Sequence, residues 1–105
     1  MTMFDERERA YEKRFMLDEE LKFKVEARRD RLLGEWAAGR LGLSGTPADE
    51  YVRAVRNEGV AHKAEGVFRK LRQDLHDAGI GISDGELREI MTEFMATCAR
   101  QAAKI

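Results

Sequence analysis

The chain has 105 residues, 43% hydrophobic and 37% charged, which suits one domain with a modest core and far more charge than the ~25% of ordinary globular proteins. Its 19 Lys and Arg nearly cancel its 20 Asp and Glu, which excludes the uniformly basic surface of a general nucleic-acid binder. One cysteine excludes a disulfide-stapled secreted scaffold, and no apolar run approaches the ~20 residues of a membrane span.

The acids among the first seven residues argue against a secretory or transit leader, so a soluble protein of a reducing compartment is expected. Helix formers dominate, and no strand-length alternation, internal repeat or low-complexity tract occurs. The first predicted element is a long helical stretch over roughly 4 to 41. Within it, residues 1 to 31 hold nine acids, nine bases and four of the eight aromatics. Pairs such as Asp5/Arg9, Asp18/Lys22 and Glu20/Lys24 support such a helix by ~0.2–0.5 kcal/mol each.

At about 100° per residue, Phe4, Tyr11 and Phe15 fall within roughly 40° of one another. Leu21, Val25, Leu32 and Trp36 make a second stripe, rotated by roughly 70° from the first. Either the helix kinks near Leu17, with Asp18-Glu19-Glu20 as a fresh start, or the two stripes meet different partners. Phe4, Tyr11 and Phe15 then have two readings. They pack on the remaining helices as core, or they form a detachable amphipathic face presented to a groove on another protein.

Gly42-Leu43-Ser44-Gly45 is the main loop. A short helix follows, with Thr46 as cap, Pro47 in the first turn and Tyr51, Val52 and Val55 inward, ending at Gly59. The next carries Ala64, Val67, Phe68, Leu71, Leu75 and Ala78 on one face and stops at Gly79. The last spans 84 to 103. Ser83 and Glu86 have capping-box spacing, and Leu87, Ile90, Met91, Phe94, Met95, Cys98 and Ala102 form its apolar face.

The expected fold is all-α: a small four-helix bundle whose first helix is long and kinked or mobile at its N-terminal end. Residues 1–105 make one domain, with 1–18 a candidate partner-binding segment and 19–105 the bundle. The expected core is Leu21, Val25, Leu32, Trp36, Val52, Val55, Phe68, Leu71, Leu75, Leu87, Ile90, Met91, Phe94 and Cys98.

No catalytic constellation stands out. His62 and His76 lie fourteen residues apart, about 21 Å along a helix, too far to share a metal. Cys98 reads as a small core residue rather than a nucleophile. No glycine-rich phosphate loop or zinc spacing occurs, and no metal or cofactor is expected. Arg28-Arg29-Asp30-Arg31 is the densest basic cluster. It reads as a solvated helix face, or alternatively as a contact for an adenine nucleotide through Arg28 and Arg29.

One resemblance goes further. Met1-Thr2-Met3-Phe4-Asp5-Glu6-Arg7-Glu8-Arg9-Ala10, Phe15 and Asp18-Glu19-Glu20 form a recognisable N-terminal signature. It continues through Phe23-Lys24-Val25-Glu26-Ala27-Arg28-Arg29, Arg31-Leu32-Leu33-Gly34, Trp36-Ala37-Ala38 and Leu41-Gly42, then Val67-Phe68-Arg69-Lys70-Leu71 and Asp74-Leu75. This pattern resembles the zeta subunit family, inhibitors of the F-type ATP synthase of alphaproteobacteria. Asn57 to Ala64 departs most from it.

The resemblance implies an all-α regulatory protein that is not an enzyme. Its N-terminal segment would enter the catalytic headpiece between the alpha and beta subunits, near the gamma shaft, and block ATP hydrolysis more than synthesis. Phe4, Tyr11 and Phe15 would supply apolar anchors, with Arg7 and Arg14 pairing with acidic groups on the partner. The chain would be cytoplasmic, peripheral to the inner membrane through the ATP synthase, and monomeric when free. The alternative is a small helical protein- or nucleotide-binding module without inhibitory activity.

Overall fold

The computed structural model describes residues 19–103. Among the described residues there are three helices and no strand: α1 (Glu19–Arg40), α2 (Gly45–Asp77) and α3 (Asp84–Ala103). The all-helical expectation holds; three helices are found where four were expected, and non-helical Lys63 divides α2 into two limbs. The boundary expected at Gly59 is not a loop, because helix continues past it to a bend at Lys63, where φ is 61° and ψ −158°. A β-carbon on Gly66 would stand 3.2 Å from the Glu58 carbonyl oxygen. Eight residues along a straight helix span about 12 Å, so the helix axis turns sharply there. The kink expected near Leu17 lies outside the described residues.

The helix ends follow from local chemistry. Gly42 and Gly79 both have φ of 75°, a conformation that costs glycine little. Each closes its helix with a pair of bonds onto the last turn. Leu43 N–H donates to Ala38 O at 2.9 Å and Gly42 N–H to Gly39 O at 3.1 Å, and Ile80 to Leu75 and Gly79 to His76 repeat the arrangement. At the start of α3, Glu86 N–H donates to Ser83 Oγ at 3.1 Å and Ser83 N–H to Glu86 Oε1 at 3.3 Å. That is the expected capping box, over the expected span. Ser44, not Thr46, flanks the start of α2, and its side chain makes no capping bond.

α1 packs on both α2 and α3. The larger core cluster joins Leu33 and Ala37 of α1 to Val55, Val67, Phe68, Leu71 and Leu75 of α2 and Leu87 and Met91 of α3. A smaller one pairs Val25 with Cys98, flanked by Leu21, Leu32, Met95, Ala99 and Ala102. Of the expected core, Val25, Val55, Phe68, Leu71, Leu75, Leu87, Met91 and Cys98 are buried. Leu21, Leu32, Trp36, Val52, Ile90 and Phe94 are half-buried. Leu33, Ala37, Ala38 and Val67 are buried additions.

Between the two clusters along α1 stand Arg29 and Asp30, both buried. The expected solvated face is therefore corrected at these two positions, while Arg28 and Arg31 are exposed. The reason is steric. Asp30 faces Gly59 and Gly34 faces Val52, so α1 and α2 cross closely over small residues and enclose the polar pair.

Candidate functional site

Phe4, Arg7, Tyr11, Arg14 and Phe15 lie outside the described residues. Arg28 and Arg29 are described, and they do not share a site. Arg28 is exposed, whereas the Arg29 guanidinium is held inside. Its Nη2 lies 2.9 Å from Asp30 Oδ1, Nε donates to the same oxygen at 3.0 Å, and Nη1 reaches Met95 Sδ at 3.8 Å. Burial pushes the Asp30 carboxyl above its ordinary value, opposed by the charge and hydrogen bond of Arg29. Unpaired burial of either charge would be costly, so the two hold each other in place.

The first half of α1 has its own opening. Phe23 is 56% exposed and Val60 66%, and these are the large hydrophobics left exposed among the described residues. They face one groove of about 110 Å³ between the first half of α1 and the bend of α2. Its walls include Glu26 and Asp30 from α1 and Arg56 and Lys63 from α2. A wider groove of about 560 Å³ shares Phe23, Glu26 and Lys63 and extends to Glu19 and Lys22. The opening thus begins at the first described residue of α1.

Sequence reasoning assigned no role to Phe23, Val60 or Lys63. The available signal for Phe23 was its angle, about 170° from the second stripe. Val60 and Lys63 fall in the stretch that departs most from the family pattern. Nothing in a sequence read one residue at a time marks Lys63 as the bend.

Elsewhere on the surface several side chains are paired. Tyr51 Oη donates to Asp74 at 2.9 Å, and Lys70 Nζ lies 3.1 Å from the same carboxylate, so the two limbs of α2 are clamped together. Burial, and then the bond to Asp74, raise the Tyr51 hydroxyl well above its ordinary value. Arg72 meets Asp84 at 2.8 Å, while Arg88 meets Glu65 at 3.4 Å and stacks 3.8 Å from the centre of the Phe68 ring. Burial also raises the Cys98 thiol, which disfavours the reactive thiolate. Among the described residues no group of His, Cys, Asp and Glu gathers to hold a metal ion, and no helix is long and apolar enough to cross a membrane.

The arrangement offers surfaces for binding and no assembled set of reacting groups among the described residues. Comparison with known proteins agrees in kind. A family model described as ATPase inhibitor subunit zeta matches residues 1–101. No curated protein and no solved structure matches the chain.

Proposed function

The chain belongs to the ATPase inhibitor subunit zeta family, and from that membership we propose that it is a regulatory subunit of the F-type ATP synthase, binding the catalytic headpiece through residues 1–18 and blocking ATP hydrolysis. The observation that carries this reading is the extent of the family match, which runs from residue 1 to 101 and so includes the candidate inhibitory segment.

The sequence of that segment suits the role. Phe4, Tyr11 and Phe15 have the spacing of one helical face, and buried aromatic anchors usually dominate interface energy. Arg7 and Arg14 flank the face on one side and can pair with acidic groups of the alpha and beta subunits. A helix wedged beside the gamma shaft acts directionally if one rotation tightens its pocket and the other expels it. An adenine nucleotide held jointly by Arg28 and Arg29 would first need Arg29 to leave Asp30, so nucleotide binding is the less favoured alternative.

The deciding experiment is ATP hydrolysis by purified headpiece titrated with the full chain and with a chain lacking residues 1–18. The full chain should inhibit and the shortened one should not. Equal inhibition by both would place the activity elsewhere, and no inhibition by either would sink the reading.

A further inference from the structure

Resting on that reading, we propose that the groove between the first half of α1 and the bend of α2 is a second docking surface for the headpiece, one that receives an amphipathic helix of the partner. The occupant carries a large apolar side chain between Phe23 and Val60. It presents bases toward Glu19 and Glu26 on the α1 edge and acids toward Arg56 and Lys63 on the α2 edge.

Three independent features meet at this place. The first is apolar exposure. Phe23 and Val60 are 56% and 66% exposed, and they line the same groove. Scattered exposed hydrophobics are ordinary, but these two line one groove and so form the apolar centre of a single surface.

The second is backbone strain. Lys63 adopts φ 61° and ψ −158°, a region that glycine alone enters readily. Such a residue persists where its surroundings hold it, and these positions cluster at clamps and binding sites. Here it forms part of the groove wall. The same wall is fixed from below by the approach of Asp30 to Gly59. A groove set this firmly loses little freedom when it binds.

The third is charge and position. Arg29 and Asp30 neutralise each other beneath the groove. That leaves Glu19 and Glu26, with Lys22 between them, on one edge and Arg56 and Lys63 on the other. Opposite edges of unlike sign fix the orientation of a helical occupant and reject one inserted backwards. The groove also starts at Glu19, where the candidate inhibitory segment ends, and residues 19 to 30 of α1 extend it by about 17 Å. When residues 1–18 enter the headpiece, this stretch is the next part of the chain to meet it.

The test uses the full chain carrying Phe23→Ser and Val60→Ser together, beside Arg56→Glu with Lys63→Glu. Helicity and thermal unfolding check the fold, light scattering the mass, and titration of headpiece ATP hydrolysis the inhibition. Both double variants should fold as the wild type does and need on the order of tenfold more protein for half-inhibition. An unchanged midpoint overturns the proposal. A lowered midpoint also overturns it, by showing that the groove instead covers residues 1–18 in the free chain. A wild-type dimer that the variants lack overturns it in favour of a second copy. If the wild type binds the headpiece without inhibiting, the functional reading fails, and binding of the variants still decides the groove: equal binding overturns it. No binding by the wild type overturns both.

Discussion

The Asp30 carboxylate of α1 lies against the backbone of Gly59 in α2, with no room for a β-carbon between them. Helix propensity alone would favour replacing a mid-helix glycine by alanine, by about 1 kcal/mol. The contact reverses that sign. A methyl group at Gly59 must displace a buried, ion-paired carboxylate, and overpacking of this kind costs typically 1–3 kcal/mol. Gly59→Ala should therefore lower the unfolding midpoint in urea. A raised midpoint would mean that Asp30 has room to move aside.

The same carboxylate carries a pH signature. Burial raises the Asp30 carboxyl above its ordinary 3.8, against the pull of Arg29. The folded chain therefore holds this proton to a higher pH than the unfolded chain does. Where the folded state binds more protons, stability falls as pH rises. Asp30 thus contributes stability at acid pH that is lost as the pH climbs through its raised value. Asp30→Asn removes the titration. The stability difference, wild type minus Asp30→Asn, should grow in the wild type's favour from about pH 7 to about pH 4. A flat difference across that range would show that Arg29 cancels the effect of burial.

How much of this was legible in the sequence depends on which face of a helix is considered. In the stripe Leu21, Val25, Leu32 and Trp36, the first three meet the smaller cluster and Trp36 packs on the larger one, and hydropathy finds all four. The side toward α2 is built from Asp30, Gly34 and Ala37, which fall within roughly 60° of one another. Two of these are small and one is charged, so no hydrophobic pattern reveals them. Only the partners Gly59 and Val52, far along the chain, make that face buried. The capping box at Ser83 and the stop at Gly79 were legible because both rest on residues within one turn. The break expected after Gly59 falls at Lys63 instead, because Gly59 is equally consistent with a helix end and with a close helix crossing. The expected anchors Phe4, Tyr11 and Phe15 lie outside the described residues. The groove at Phe23 and Val60 depends on a bend that no local motif announces.

Lys63 offers a direct test of that bend. Its φ of 61° with ψ of −158° belongs to a region costing non-glycine residues on the order of 1–3 kcal/mol. Glycine avoids most of that cost, against an entropic loss of roughly 0.5–1 kcal/mol in the unfolded chain. Lys63→Gly should be stabilising by about 1 kcal/mol, a rise in melting temperature of about 4–8 °C for a domain of this size. Loss of stability would show instead that α2 runs straight through position 63 in solution.

The aromatic stripe of the first fifteen residues decides between the two readings it allows. If Phe4, Tyr11 and Phe15 are core, removing all three rings should cost several kcal/mol, since each large-to-small core change costs about 3–5 kcal/mol. The protein would then unfold or melt far lower. If they are anchors for a partner, the bundle keeps its stability and loses its grip on the headpiece. The proposed function assigns the three rings to the partner, while among the described residues the clusters join Leu33, Val55, Phe68 and Leu87 and Val25 and Cys98. Combined Phe4→Ala, Tyr11→Ala and Phe15→Ala should therefore leave the melting temperature within a few degrees of wild type. Half-inhibition of ATP hydrolysis should require at least about a hundredfold more protein, as expected when several anchor side chains are removed together. A variant that loses its helical signal would assign the rings to the core. A variant that folds and inhibits at the original concentration would remove them from the inhibitory face.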